Sequence, residues 1–344
     1  MSFLDRFLPL WIALAMALGL ALSVFAPGIA SALHAASIGS VSLPIALGLL
    51  IMMYPPLAKV RYSQATKLAS DTRLMVVSLV LNWVVGPAFM FALAWIFLPD
   101  QPELRTGLII VGLARCIAMV LVWSELSCAD RDATAILVAI NSVFQVLMFG
   151  LLGWFYLQIL PAWLGLDTTS ADFSLWAIIT SVLVFLGIPL LAGAVSRILG
   201  ERIKGRKWYE QRFLPAISPL ALIGLLYTIV VLFLLQGPTV MESPWAVARV
   251  AVPLLCYFVG MFALALAVSK AAGLDYARSS SVSFTAAGNN FELAIAVSIG
   301  TFGATSGQAL AGTIGPMVEV PVLVGLVYVM LWLRPRLFPR EGVQ

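Results

Sequence analysis

The fold follows from two short stretches of sequence, GLARC at residues 112–116 and GNNFE at residues 288–292. Each stretch lies within a long apolar segment and combines a charged residue with glycine or asparagine, which are poor residues for a helix interior. A charge at bilayer depth costs about 2.5–3.5 kcal/mol, so such a residue faces a bundle interior and marks a pathway. Paired interruptions in the two halves of a chain indicate the substrate site of a secondary transporter.

The composition is that of a membrane protein. Of the 344 residues, 62% are hydrophobic and only 10% are charged, whereas soluble domains carry about 25% charged residues. The first apolar run, residues 7–25, is longer than the core of a signal peptide, and we expect it to be retained as a membrane span. The sequence contains no glycine-rich phosphate loop, so we do not expect this chain to drive transport with ATP.

The metal-ligating residues are few and scattered. The three cysteines, Cys116, Cys128 and Cys256, are too far apart for a zinc cluster or a disulfide framework, and His34 is the single histidine. We therefore predict no cofactor and no resident metal. We also expect no nucleic-acid partner.

Hydropathy predicts ten membrane spans, each of about 20 apolar residues. The predicted spans are residues 7–26, 41–58, 74–98, 104–125, 132–160, 173–197, 213–235, 245–269, 275–301 and 308–333. The connections are short, and the longest polar insert is 197–212. We therefore expect residues 1–344 to form a single transmembrane domain with no separate soluble part.

Basic residues predict the orientation of the spans. With both termini in the cytoplasm, the inside segments hold 17 of the 20 Lys and Arg residues, and the outside loops hold only Arg105 and Arg249. The remaining basic residue, Arg115, lies within a span. This asymmetry predicts cytoplasmic termini and a place in the plasma membrane, which in a bacterium is the inner membrane.

Ten spans divide into two halves of five, at about residues 1–165 and 166–344. Because five is odd, the second half enters the membrane in the opposite sense, which predicts an inverted repeat. The fourth span of each half carries one of the two interrupted stretches. We see no strong residue identity between the halves, so this prediction depends on hydropathy and on the two interruptions.

Several polar residues within the spans are candidates for the site, and each also has a structural interpretation. Cys116 is either a buried small hydrophobe or a ligand, and Arg115 and Glu292 either act on substrate or form an ion pair between crossing helices. Asn289 and Asn290 have the chemistry of a helix N-cap. Three further candidates are Asn141, Gln145 and Glu319. Each could either contact the substrate or stabilise the packing of the helices.

Six stretches together resemble one family. They are GLARCIAMV (112–120), NNFELAIAV (289–297), MYPPLAKV (53–60), LNWVVGP (81–87), NSVFQ (141–145) and GPMVEVPVL (315–323). Over nearly the whole chain this pattern resembles the arsenite efflux permeases of the arsenical-resistance-three family. The resemblance implies the fold of the bile-acid sodium symporters: ten transmembrane helices, with broken helices 4 and 9 crossing near the bilayer midplane.

The resemblance also implies site residues. The family's functional cysteine corresponds to Cys116, its neighbouring arginine to Arg115, and its ninth-span acid to Glu292. It implies secondary active export of arsenite by proton antiport, with Glu292 as the proton carrier and Cys116 in contact with arsenic. The sequence departs from the family pattern at Ser124 and Gly288, where we expect an amide and a serine. The sequence does not decide whether antimonite is also transported, whether an ATPase subunit assists, or whether the protein forms oligomers.

Three other functions are alternatives to export. A sodium-coupled symporter of an organic anion is the alternative within the same fold, and Asn289, Asn290 and Glu292 could supply oxygen ligands for sodium. A passive channel would give flux in either direction down the metalloid gradient. An intramembrane enzyme using Cys116 needs a nearby base, and His34 lies in a predicted loop, so we do not expect catalysis.

Overall fold

The computed structural model describes residues 8–26, 28–29, 31, 33, 36–38, 41–59, 71–117, 119–168, 175–242, 244–303 and 305–339. His34 and four of the basic residues counted above (Arg6, Arg61, Lys67 and Arg340) lie outside these ranges. Twelve helices are bounded within the described residues, together with one short antiparallel hairpin of strands β1 (Ser37–Ile38) and β2 (Val41–Ser42). The prediction of a helical multi-span membrane protein is confirmed.

Eight of the helices are uninterrupted: α1 (Leu8–Phe25), α2 (Leu43–Lys59), α4 (Pro102–Leu113), α5 (Met119–Leu126), α9 (Pro244–Ala271), α10 (Tyr276–Ala287), α11 (Phe291–Phe302) and α12 (Gly307–Leu337). The other four contain one π-helical turn each: α3 (Thr72–Val80, Leu81–Val85, Gly86–Phe97), α6 (Arg131–Trp154, Phe155–Ile159, Leu160–Trp163), α7 (Leu175–Val182, Leu183–Gly187, Ile188–Lys204) and α8 (Arg206–Trp208, Tyr209–Phe213, Leu214–Glu242).

Each π-helical turn has the same local sequence context. It ends two residues before a proline, and the four prolines are Pro87, Pro161, Pro189 and Pro215. Proline has no N–H, and its ring collides with the carbonyl one turn earlier. A wider turn relieves that collision without ending the helix.

Among the residues that the structure describes, six helices are long and apolar enough to cross a membrane: α3, α6, α7, α8, α9 and α12. Helices α1 and α2 are shorter apolar helices, and the two remaining predicted spans are each divided in two. The fourth predicted span becomes α4 and α5, and the ninth becomes α10 and α11. Both interruptions therefore lie where glycine, asparagine and the charged residues predicted them.

The polar insert at 197–212 is helical except at one residue. Helix α7 continues to Lys204 and α8 begins at Arg206, with Gly205 between them at φ +84°. Glycine adopts this left-handed conformation without steric cost. Arg197 is 5% exposed and bonds Glu201 at 2.9 Å and Glu210 at 3.1 Å, which ties the two helices together across the turn.

The helices form two groups. Helices α1, α2, α7 and α8 pack mainly against one another and form a four-helix bundle. Helices α3–α6 and α9–α12 form an eight-helix bundle, which contains both interruptions. The first part of α7 packs against α11 and α6, so the two bundles meet along the helix that follows the second interruption.

Helix boundaries recur along the chain at a constant spacing. The ends of α10, Tyr276 and Ala287, lie 174 residues after the ends of α4, Pro102 and Leu113. The last residues of α9 and α12, Ala271 and Leu337, lie 174 residues after the last residues of α3 and α6, Phe97 and Trp163. Two successive structural repeats would produce this spacing.

Candidate functional site

The two interrupted helices cross through their backbones. Arg115 and Asn289 form an isolated antiparallel bridge. The N–H of Cys116 donates to the carbonyl of Gly288 at 3.3 Å, and the N–H of Asn290 donates to the carbonyl of Ala114 at 3.0 Å. Non-helical backbone at membrane depth must be satisfied by protein or water. Here each broken segment supplies hydrogen bonds to the other.

Side chains from two further helices complete the crossing. Gln145 Oε1 on α6 accepts a hydrogen bond from the N–H of Arg115 at 3.0 Å. Glu319 Oε1 on α12 accepts one from the N–H of Asn289 at 3.1 Å. Both acceptors are buried, so the pairs satisfy backbone donors that would otherwise lose their hydrogen bonds with water.

Cys116 lies inside the crossing with its sulfur at the start of α5. The residue is 2% exposed, and its Sγ accepts a hydrogen bond from the N–H of Val120 at 3.3 Å. Asn290 has a similar place at the start of α11, where its Oδ1 accepts from the N–H of Leu293 at 3.1 Å, as expected for an N-cap. The thiol therefore lies beside a helix N-terminus, where the helix dipole is positive.

Gly288 brings the second interruption against the cysteine. A Cβ atom placed on Gly288 would lie 3.0 Å from Cys116 Cβ and 3.4 Å from its Sγ. The backbone at Gly288 is extended (φ −75°, ψ 147°), so the glycine is needed for space and not for an unusual dihedral angle. One of the two departures from the family pattern is thus in contact with the thiol.

Arg115 is fully buried, and no carboxylate among the described residues lies within ion-pair distance of it. Its Nη1 donates to the hydroxyl of Tyr257 at 2.7 Å, and its Nη2 donates to the carbonyl of Gly112. The structure therefore does not show the Arg115–Glu292 ion pair considered above. Glu292 is half-buried in the first turn of α11, two residues after Asn290.

The buried amides near the crossing have unused hydrogen-bonding capacity. Asn141 Oδ1 accepts from Trp83 Nε1 at 3.1 Å, but Asn141 Nδ2 and Gln145 Nε2 have no partner among the described residues. The same holds for both side-chain polar atoms of Asn289 and for Asn290 Nδ2. Unpartnered buried polar groups are costly, so a polar solute bound here would stabilise them.

The other two cysteines lie elsewhere. Cys128 is exposed at the end of α5 with φ 56°, and Cys256 is half-buried on α9. Within the described parts of the chain, no three His, Cys, Asp or Glu residues are grouped as a metal site. Ser124, the other departure from the family pattern, is buried, and its hydroxyl has no partner among the described residues.

Two residues of the site were not identified from the sequence. Tyr257 accepts from Arg115, and its ring centroid lies 5.9 Å from the guanidinium carbon. Trp83 bonds Asn141. A weak signal existed for Tyr257, because a buried arginine without a carboxylate needs other acceptors and this tyrosine lies in the middle of an apolar span.

A membrane protein of many helical spans, with two interrupted helices joined at a polar crossing, has the architecture of a secondary transporter. Residues 46–243 match the Sodium Bile acid symporter family. The chain is 73% identical over 340 residues to "Arsenical-resistance protein Acr3" of Corynebacterium glutamicum, covering 99% of this chain and 92% of that protein.

Two further relatives cover 95% of this chain. One is an uncharacterised transporter of Synechocystis, 34% identical over 346 residues with 88% of that protein covered. The other is "Arsenical-resistance protein Acr3" of Alkaliphilus metalliredigens, 31% identical over 336 residues with 92% covered. The chain therefore belongs to the sodium bile acid symporter family and, within it, to the Acr3 arsenical-resistance transporters. This confirms the resemblance found in the sequence and places the protein among transporters, not enzymes.

Proposed function

We propose that this protein exports arsenite from the cytoplasm in exchange for protons, with its substrate site at the crossing of the two broken helices. The observation that carries the proposal is the position of Cys116, whose thiol is buried against Gly288 at the backbone bridge between Arg115 and Asn289. A solute that passes between the two interruptions would meet this thiol once the segments part.

The chemistry of arsenite matches the groups present. At neutral pH it is mostly uncharged As(OH)₃, with a thiophilic arsenic and three hydroxyls that donate and accept hydrogen bonds. Cys116 contacts arsenic, Arg115 orients a hydroxyl, and the unpartnered amides of Asn289 and Asn290 bind the others. A single thiol gives weak, reversible capture, which transport needs because the site must also release its substrate. Antimonite has the same chemistry and is the second substrate to test.

Glu292 is the proton carrier in this proposal. It lies in the first turn of α11, close in sequence to the crossing, and it is half-buried. The proposal requires that water reach its carboxyl group from one side of the membrane at a time. Asn141, Gln145 and Glu319 act mainly as positioning residues, since their oxygens bond the indole and the backbone groups around the crossing. Exchange of a neutral solute for a proton moves net charge, so export responds to the membrane potential.

The architecture that we propose has ten spans in two inverted five-helix repeats, at about 1–165 and 166–344, with both termini cytoplasmic. The 174-residue spacing of helix ends supports the repeat. Alternating access then follows from movement of the four-helix bundle against the eight-helix bundle, which holds the crossing. The surrounding membrane is the plasma membrane, which in a bacterium is the inner membrane.

The proposal is tested with everted membrane vesicles, in which export appears as uptake. We expect arsenite to accumulate when the vesicle interior is acidic and the uptake to stop when an ionophore removes the gradient. Vesicles from cells that express Glu292→Gln are the matched control, because this variant lacks the proposed proton carrier. Their uptake should not depend on the pH gradient. Uptake at an unchanged rate without a pH gradient would refute proton coupling.

A second candidate, sodium-coupled symport of an organic anion, is favoured by the match to the Sodium Bile acid symporter family over residues 46–243. The oxygen atoms of Asn289, Asn290 and Glu292 are its candidate sodium ligands. It predicts transport that requires a sodium gradient and persists when the pH gradient is removed. The same vesicles, with sodium and proton gradients imposed separately, distinguish the two functions.

A further inference from the structure

A deep apolar groove lies between α9 and α12 on the surface of the eight-helix bundle. Its volume is about 370 Å³. The floor is formed by Phe262, Leu266 and Leu326, and more exposed residues (Val259, Ala263 and Val329) form its edges. Of the described residues that line the groove, only Lys270 is charged, and it lies at one end.

The length of the groove matches one leaflet of a bilayer. Its α9 side runs from Val259 to Lys270, a helical distance of about 16 Å at 1.5 Å per residue. The hydrocarbon core of a bilayer is about 30 Å thick, so half of it is about 15 Å. With Lys270 placed at the level of the lipid headgroups, a groove of this length reaches the bilayer midplane.

Cations are concentrated at that end. Lys270 is exposed and has no carboxylate within ion-pair distance among the described residues. Arg336 lies one turn beyond Leu333 on α12, with its guanidinium carbon 3.9 Å from the centroid of the Trp332 ring. Trp332 is 58% exposed, as is typical of tryptophan at a membrane interface. Neither cation is neutralised within the described part of the chain.

We propose that this groove binds one acyl chain of an anionic phospholipid, whose phosphate is held by Lys270 and Arg336. The apolar walls fit a hydrocarbon chain, and the two cations fit a negative headgroup at the depth where it would lie. A zwitterionic lipid offers the same chain but no net charge for the cations, so the site distinguishes lipids by headgroup.

The test uses the purified full-length protein in uncharged detergent, with dioleoylphosphatidylglycerol or dioleoylphosphatidylcholine added. Bound lipid is counted by native mass spectrometry, and thermal unfolding is followed in parallel. We compare Lys270→Gln/Arg336→Gln, which removes the cations, with Ala263→Trp, which fills the groove. The control is Lys204→Gln/Lys207→Gln at the turn between α7 and α8, where Lys204 also lies over a tryptophan ring, at 5.1 Å.

We expect the parent protein and the control to bind one phosphatidylglycerol tightly and to gain thermal stability from it. Removing the cations should weaken that binding about fivefold for each charge lost, and Ala263→Trp should abolish it. Equal binding of the two lipids would overturn the proposal. So would displacement by free glycerol phosphate, which would indicate an anion site without a lipid chain. Conversion of a dimer to a monomer by Ala263→Trp would also overturn it, because the groove would then bind a second copy of the chain.

Discussion

Gln145 and Glu319 occupy equivalent positions on the two sides of the crossing. Gln145 follows Arg115 by 30 residues, and Glu319 follows Asn289 by 30 residues. The side-chain oxygen of each accepts a hydrogen bond from the backbone N–H of its partner, at 3.0 and 3.1 Å. The crossing is therefore held in the same way twice, once by an amide and once by a carboxyl group.

This equivalence extends the repeat from helix ends to individual side chains. Arg115 and Asn289 are 174 residues apart, and so are Gln145 and Glu319. The two acceptors differ chemically, because only Glu319 can change its charge. The two halves of the crossing can therefore be tested separately.

Replacing Gln145 by leucine should destabilise the crossing. The N–H of Arg115 would lose its acceptor in a buried site, which costs about 1–3 kcal/mol, and arsenite uptake should fall with it. Gln145→Glu is the matched control because it keeps an oxygen at the same position. Thermal unfolding of the purified variants and vesicle uptake measure both effects. A Gln145→Leu protein that unfolds and transports like the parent would show that this hydrogen bond is dispensable.

Replacing Glu319 by glutamine should preserve the crossing, since the amide oxygen can still accept from the N–H of Asn289. We expect uptake by Glu319→Gln to remain dependent on the pH gradient, whereas Glu292→Gln should lose that dependence. Glu319→Leu removes the acceptor and should lower thermal stability by about 1–3 kcal/mol. Loss of gradient dependence in Glu319→Gln, with Glu292→Gln unaffected, would transfer the proton-carrying role to Glu319.

Much of the fold could be predicted from the sequence because lipid imposes a simple rule on length and polarity. Within the described residues, eight of the ten predicted segments correspond to one helix each and two are divided, and most of the helix ends lie within a few residues of the predicted ones. The interruptions were also predictable, because each combines glycine or asparagine with a charged residue in the middle of a predicted span. Asn290 caps α11 as its residue type indicated.

The contacts within the site could not be predicted in the same way. The bridge between Arg115 and Asn289 joins segments that are far apart in sequence, and no local pattern encodes such a pairing. A carboxylate was one of two alternatives for Arg115 in the sequence, but its partners are a tyrosine hydroxyl and carbonyl groups. The helical form of 197–212 depends on Gly205 and on ion pairs across the turn. Mean hydropathy contains no information about either feature, so it predicted only a polar connection.

Gly288 should tolerate only a small increase in size. Its Cα lies so close to Cys116 that an alanine Cβ would be 3.0 Å from the cysteine Cβ, and a valine would overpack the crossing at a cost of about 1–3 kcal/mol. We expect Gly288→Ala to slow arsenite uptake and Gly288→Val to abolish it. Gly325→Ala is the control, because nothing lies within 4 Å of its added methyl group. Full uptake by Gly288→Val would mean that the thiol does not need this close contact.

The ion pair between Arg249 and Asp100 joins α9 to the turn after α3. Hydrogen bonding to Arg249 lowers the pKa of Asp100 from 3.8 to about 2. Because this carboxyl pKa is lowered on folding, its stabilising effect is complete above the unfolded value and is lost as the pH falls through about 2. Carbon-13 NMR titration of Asp100 should give a midpoint near 2 in the parent and close to 3.8 in Arg249→Gln.

The same pair should contribute nothing to the pH dependence of transport between about pH 5 and 8. Arg249→Gln should therefore keep the parental pH profile of arsenite uptake, and this separates the Arg249–Asp100 ion pair from the proposed proton carrier. A profile shifted in Arg249→Gln would link the loop to the transport cycle.

Cys116→Ser should abolish or strongly reduce arsenite uptake while leaving the fold intact. A serine hydroxyl can still accept from the N–H of Val120, so the start of α5 keeps its hydrogen bond. Oxygen binds arsenic far less tightly and exchanges with water, so capture at the crossing is lost. Cys256→Ser and Cys128→Ser, which change thiols outside the crossing, should transport at the parental rate. Equal uptake by all three variants, at equal amounts of protein in the membrane, would remove thiol chemistry from the mechanism and leave the amides and Glu292 to bind the substrate.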